Sequence, residues 1–199
     1  MRLSILQYGN PILRAKGTRI DRIDDRIREL AANMLETMQA ANGVGLAAQQ
    51  IGEALQLTVL DISEVEDRPS TMKLNGEEVD PKSAMPLVLV NPQISLRDET
   101  SIGTEGCLSF PEITGEIERA ESVMARAETL EGKSIEIEAT GLLARVLQHE
   151  VDHLNGILFI DRMSSAAKAS LSSRLKRLQK ETQRGGTKDR GTIATPSAL

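Results

Sequence analysis

An α+β fold is what the sequence predicts: short antiparallel β-sheets surrounding one central buried helix, with another helix at the C-terminal end. Three observations carry this reading. Leu142, Leu143, Val146, Leu147 and Leu154 follow helical spacing and ask for burial on several sides of one helix. The segments 55–61, 87–90, 93–96 and 122–127 are short runs of strand length. Ile135, Ile137 and Ala139 alternate with charged residues, which is the period of a strand wet on one face. Short strands grouped around one buried helix define the α+β class.

The elements follow in chain order. Tyr8-Gly9-Asn10-Pro11 is a turn signal. Asp24 or Asp25 caps a helix that runs to about Ala41, with Ile27, Leu30, Met34, Leu35 and Met38 at helical spacing and Asn42-Gly43 as its stop. This helix is read as packing. Gly43-Val44-Gly45-Leu46-Ala47-Ala48-Gln49-Gln50 follows, and its small residues suggest a backbone approached closely by a ligand or by another segment. Residues 62–85 form a polar excursion between two strands, with Asn75-Gly76 as a possible hairpin turn. Thr140 is expected to cap the central helix, Asn155-Gly156 to end it, and Ile157-Leu158-Phe159-Ile160 to return as an extended apolar segment. A last helix is expected from Ser164 to about Gln183, with Leu171, Leu175 and Leu178 on one face. The organisation is therefore one domain over 1–163, a basic amphipathic helix over 164–184 and a polar, Gly/Ser/Thr-rich tail over 185–199 that is expected to be disordered.

Composition excludes several classes. The chain has 199 residues, long enough to enclose a core, and Tyr8, Phe110 and Phe159 are its only aromatic residues, so aliphatic side chains must fill the interior. No apolar run approaches the roughly eighteen residues of a membrane span, and the first residues carry too short an apolar run for a secretory signal. A lone cysteine, Cys107, excludes an internal disulfide framework and suits a reducing compartment. A cytoplasmic protein is expected, without membrane or DNA partners. The net charge of −5 hides a basic stretch, residues 162–190, with nine Lys/Arg against two Asp/Glu. A basic end on an acidic body hints at a polyanionic partner.

The chemistry concentrates in Gln148-His149-Glu150-Val151-Asp152-His153. Residues four apart share a helix face, so His149 and His153, the only two histidines, can grip one metal ion. Glu150 flanks them as a candidate proton carrier. Two histidines need a third ligand, and Cys107 in Glu105-Gly106-Cys107-Leu108-Ser109 is the obvious candidate. One thiolate, two imidazoles and an open position suit a catalytic site better than a structural one.

The three segments 43–50, 105–109 and 148–153, in that order and spacing, resemble the signature motifs of peptide deformylases, and the likeness runs from about Tyr8 to Met163. The resemblance implies a metal-dependent hydrolase that removes the N-formyl group from the N-terminal formyl-methionine of new polypeptides and releases formate. It implies Glu150 as general base and then general acid, with the Gln50 side-chain amide and the Leu108 backbone N–H as oxyanion donors. The ligand set alone favours zinc. The resemblance implies one Fe²⁺ per chain in the cell, with Zn²⁺, Ni²⁺ or Co²⁺ able to substitute. The substrate, an N-formylmethionyl peptide or nascent chain, is expected to lie extended against Val44, Gly45, Leu46 and Gly106. Val44, Leu142 and Val146 are candidate walls for its first side chain, the alternative being ordinary core positions. Arg145, in the central helix, is assigned no role. Lys168, Arg174, Lys176, Arg177, Lys180 and Arg184 on the last helix are candidates for contact with ribosomal RNA, the alternative being a solvated face.

Two rival readings remain. A metalloprotease with the same two histidines would need a carboxylate third ligand, for which Asp161 and Glu181 are the nearby choices. A ribosome-associated metal-binding protein without catalysis would need neither Glu150 nor Gln50.

Overall fold

The computed structural model describes residues 1–185, and the tail expected to be disordered lies, apart from Gly185, outside the described residues. The chain is a mixture of helix and sheet. In order it forms α1 (Asp25–Ala40), β1 (Gly45–Ala47), β2 (Leu57–Leu60), β3 (Met72–Leu74), β4 (Glu77–Val79), β5 (Leu87–Leu96), β6 (Thr100–Gly106), β7 (Thr114–Ala120), β8 (Ser122–Glu128), β9 (Ser134–Thr140), α2 (Gly141–Leu154), α3 (Phe159–Arg162), α4 (Ser165–Ser170) and α5 (Ser172–Gly185). Seven strands pair antiparallel in the order β1-β2-β5-β8-β9-β3-β4, while β6 and β7 make a separate two-stranded ribbon.

Asp24 caps α1 by accepting the Ile27 N–H at 3.0 Å. The apolar face of α1, through Ala31, Met34 and Met38, packs with Leu46, Leu57, Val59 and Val90 of the sheet. A second core joins Leu143, Val146 and Leu147 of α2 to Leu60, Leu89, Ala125 and Ile137. A third lies under the ribbon and collects Phe110, Ile117, Phe159, Met163 and Leu175. Helix α2 is buried from Leu142 to Leu154.

Several local expectations change. The segments 87–90 and 93–96 are one strand, β5, whose register shifts between Val90 and Gln93. Asn91 sits there at φ +53° and its side chain bonds both the N–H and the carbonyl of Ile20, while Pro92 has no N–H to pair, so the strand bulges without ending. The 62–85 excursion is partly sheet: Asn75-Gly76, both at positive φ, closes the β3–β4 hairpin, and Met72 pairs with Ala139 of β9. Thr140 occupies the cap position of α2, but its hydroxyl bonds Thr71, and it is Ser70 Oγ that accepts the Leu143 N–H at 3.0 Å. The cap is thus supplied by the excursion.

Residues 157–160 are not extended throughout. Asp161 accepts the Leu158 N–H at 2.9 Å and starts the one-turn helix α3. The last helix is interrupted at Leu171, where Ser170 turns its hydroxyl onto the Ala167 carbonyl at 2.7 Å, a local bond that competes with helical continuation. No helix among the described residues is long and apolar enough to cross a membrane.

Candidate metal centre

Helical geometry brings His149 and His153 onto one face of α2, their rings 4.9 Å apart and nearly edge-on. The chain leaving β6 delivers Cys107 to the same point. The three ligand atoms lie within 4.8 Å of one another, and all three residues are buried. Cys107 Sγ is 3.3 Å from His153 Nε2. His149 Nδ1 lies 3.0 Å from Glu105 Oε2, which turns its Nε2 toward the sulfur. A soft thiolate with two imidazoles fits a tetrahedral transition-metal site with one position left for a reactant. Behind it Tyr8, Phe110 and Phe159, the Phe and Tyr residues of the chain, pack in series, Tyr8 stacked on Phe110 and Phe110 edge-on to Phe159, and Phe159 lies against the His149 ring at 6.2 Å.

Each neighbour has a physical reason to be where it is. Gly45 faces Glu150 so closely that a Cβ would stand 2.3 Å from Oε1, and a Cβ at Gly43 would stand 2.7 Å from Leu108 Cδ1. The glycines of the 43–50 segment therefore make room for two side chains of this protein, Glu150 and Leu108. Gln50 accepts the Ala47 N–H at 2.9 Å, which aims its Nε2 at Ser109 Oγ (3.2 Å) and Cys107 Sγ (3.5 Å). The Leu108 N–H makes no hydrogen bond to the described residues. Glu150 is 1 % exposed. Burial is the largest influence on its carboxyl and pushes its pKa up to about 7, against the lowering effects of His149 and the Thr58 hydroxyl at 3.3 Å.

The histidines differ. Burial lowers both, but hydrogen bonds to Cys107 and Glu105, with the charges of Cys107 and Glu150, raise His149 to about 10. Burial and the neighbouring His149 hold His153 well below its ordinary value.

A cleft of about 650 Å³ opens over this group, lined by Val44, Gly45, Gln50, Gly106, Cys107, Leu108, His149 and Glu150. Its rim comes from the excursion, through Ser63, Glu64, Val65, Asp67 and Arg68.

The sequence profile of the family described as polypeptide deformylase matches residues 2–169. The chain belongs to the peptide deformylase family. A peptide deformylase of Opitutus terrae is 43% identical over 185 residues, covering 92% of this chain and 96% of that one. A plant peptide deformylase crystal structure superposes with a TM-score of 0.79 at 37% identity, over 94% of this chain and 96% of that one. The Thermotoga maritima peptide deformylase structure gives a TM-score of 0.70 at 36% identity, over 82% of this chain and 99% of that one. Peptide deformylases are metal-dependent hydrolases that remove the N-formyl group from nascent polypeptides, and that is the activity of this chain.

Not every residue named from the sequence reaches the deformylase cleft. Leu46 alternates inward and joins the α1 core, although β1 itself is an outer strand of the sheet. Leu142 and Val146 share the histidine face of α2, one and two turns before the ligands, but are buried in the core that the helix forms with the sheet and are not among the residues lining the cleft. Asp161, the carboxylate a metalloprotease would have needed, is engaged by Arg14, Lys168 and the Leu158 N–H, and Glu181 is exposed on α5.

The sequence reading passed over a buried charge network. Glu105, fully buried, accepts Arg119 Nε on Oε1 and Arg119 Nη2 on Oε2, at 2.9 and 3.0 Å. Asp152 is held by Arg119 and Arg162. Against the cost of burial, bonds from His149 and Arg119 keep Glu105 well below the usual carboxylate range. No sequence signal marks Arg119, since its partners lie 14 and 33 positions away.

Proposed function

We propose that Cys107, His149 and His153 hold one divalent ion and that Glu150, Gln50 and Leu108 carry out the removal of the formyl group beside it. The observation that carries the reading is the convergence of one thiol and two ring nitrogens within 4.8 Å, next to a buried carboxyl raised to about 7. When bound, the ion supplies Lewis acidity and a water whose pKa is lowered toward about 7. Glu150, poised near neutrality, takes a proton from the attacking water and returns it to the departing amine. Gln50 Nε2 and the free Leu108 N–H donate to the formyl oxygen as charge grows on it. Gln50 and Leu108 are among the residues lining the cleft, and the Gln50 amide is oriented by its bond from the Ala47 N–H.

The ion in the cell is Fe²⁺, with Zn²⁺, Ni²⁺ or Co²⁺ taking the same position. The formylated peptide lies extended along the free edge of β1, pairing with the backbone of residues 44–46 and with Gly106. Val44 and Leu108 offer apolar contact to its first side chain. Such backbone pairing is sequence-tolerant, which suits an enzyme that accepts most nascent chains. Residues 1–163 form the catalytic domain, with α2 as its organising element. The α4–α5 segment within 164–184 presents Lys176, Arg177 and Lys180 to solvent as a surface for ribosomal RNA, and the protein works in the cytoplasm.

The decisive test is formate release from a formyl-Met peptide after anaerobic Fe²⁺ reconstitution. Turnover with iron and far less with zinc is the expected result. Equal activity with zinc overturns the choice of ion, and an untouched peptide overturns the reaction. Removing residues 164–199 should weaken salt-sensitive co-sedimentation with ribosomes, and unchanged binding removes that partner.

A further inference from the structure

We propose that Arg145 is a positioning residue for the metal centre: from α2 it braces the Glu105 carboxylate and both strands of the ribbon, fixing the distance and orientation between the Cys107 and His149 ligands. The inference rests on the assignment of Cys107, His149 and His153 as ligands.

The thiol and the imidazoles arrive on different elements. Cys107 follows directly on β6, whereas both histidines ride on α2. Their relative position is therefore only as firm as the links between ribbon and helix. Arg145 makes three hydrogen bonds across that seam. Its Nη1 donates to Glu105 Oε1 and to the Ile117 carbonyl, both at 2.9 Å, and its Nη2 donates to the Ser101 carbonyl at 2.9 Å. The first of these is also an ion pair, between a guanidinium and a carboxylate that are both nearly inaccessible to solvent. One side chain of α2 thus grips β6 at two points and β7 at one.

Helical spacing gives the brace its leverage on the metal ligand. Residues 145 and 149 lie one turn apart on the same face, so both reach the same carboxylate. Arg145 occupies Oε1, and His149 Nδ1 meets Oε2. With Oε1 saturated by Arg145 and Arg119, Oε2 stays turned toward the imidazole and keeps its Nε2 facing the sulfur. Partners of this kind orient a ligating histidine and typically contribute about 10–100-fold to metal affinity.

Gly103 leaves room for the guanidinium where it sits. A Cβ at Gly103 would come within 3.0 Å of Arg145 Cζ, 3.1 Å of Nη2 and 3.2 Å of Nε. Gly103→Ala therefore displaces the guanidinium without altering any charge, and offers a second, independent way to loosen the brace.

The test measures metal affinity by chelator competition, and the visible absorption of the Co²⁺-loaded protein, for the wild-type chain, Arg145→Met, Arg145→Lys, Gly103→Ala and the Gly103→Ala/Arg145→Met pair. Arg145→Met should weaken metal binding by about 10–100-fold and shift the Co²⁺ bands. Arg145→Lys should recover part of the loss, and Gly103→Ala should show a smaller loss that vanishes in the Arg145→Met background. A variant Arg145→Met that keeps affinity within about twofold and an unchanged Co²⁺ spectrum, whatever its unfolding midpoint, overturns the proposal. If Arg145→Met does not fold, unchanged affinity in both Arg145→Lys and Gly103→Ala overturns it instead. A wild-type chain that takes up no stoichiometric ion defeats the ligand assignment itself, a different failure.

Discussion

Two sides of α2 are equally buried and held by opposite physics. Toward the seven-stranded sheet the helix offers Leu143, Val146 and Leu147, packed with Leu60, Leu89, Ala125 and Ile137. Toward the ribbon it offers Arg145, His149 and Asp152, whose partners are Glu105, Arg119 and Arg162. The apolar side is secured by volume, and apolar side chains of similar volume serve. On the charged side each group depends on one named partner, since a buried charge left alone costs far more than the pair contributes. The fold tolerates that arrangement where the reaction needs oriented groups in a dry place.

Glu150→Gln should have the largest effect. It preserves shape and the metal ligands, yet should slow turnover by about 10²–10⁴-fold if this carboxyl carries the proton. Formate release and bound metal measured on one sample decide it, and near-normal turnover removes Glu150 from the mechanism. Arg119→Met should destabilise the fold by about 3–5 kcal/mol, because buried Glu105 loses its bidentate partner and Asp152 loses one of its two arginines. Denaturant unfolding reads this out, and adding Glu105→Gln should return part of the loss. A cost under about 1 kcal/mol would show that the charged side is no more demanding than the apolar one.

Leu147 tests the other side. Leu147→Ala should cost about 2–5 kcal/mol, whereas Leu147→Met should cost less than about 1.5 kcal/mol. Similar losses for both would mean that shape, not volume, governs the sheet-facing core. A pH series separates the sides again. His149 is raised to about 10 in the metal-free chain, so its stabilising protonation is complete below the ordinary histidine range and fades as pH climbs through about 10. Metal uptake must displace that proton, and apparent affinity should fall about tenfold per unit of falling pH for each proton displaced. Calorimetric titration in buffers of different ionisation enthalpy measures the protons released. The smallest effect expected is at Ser70: Ser70→Ala should cost about 0.5–2 kcal/mol through the lost cap on α2 and leave formate release unchanged.

How much of the centre could be read in advance follows from distance along the chain. His149, Glu150 and His153 are legible because helical periodicity alone sets their geometry. Cys107 is legible by scarcity, being the only thiol available to two histidines. The β6–β7 ribbon is not: its inner face carries Glu105 and Arg119 in place of an apolar stripe, so neither period nor propensity marks it as a strand pair. The same holds for the cap on α2, which Thr140 promises locally and Ser70 delivers from 73 residues away.

The sequence by itself determined the class of fold, the helix bearing the two histidines, the three motif segments and the family they resemble, because short-range spacing and residue chemistry are written along the chain. Only the tertiary structure decided what surrounds them: which glycines make room for Glu150 and Leu108, which arginines neutralise Glu105 and Asp152, and which apolar residues of α2 are buried in the sheet core. Those choices depend on contacts between segments far apart in sequence, where a buried charge or a missing Cβ has meaning only beside the atom it meets.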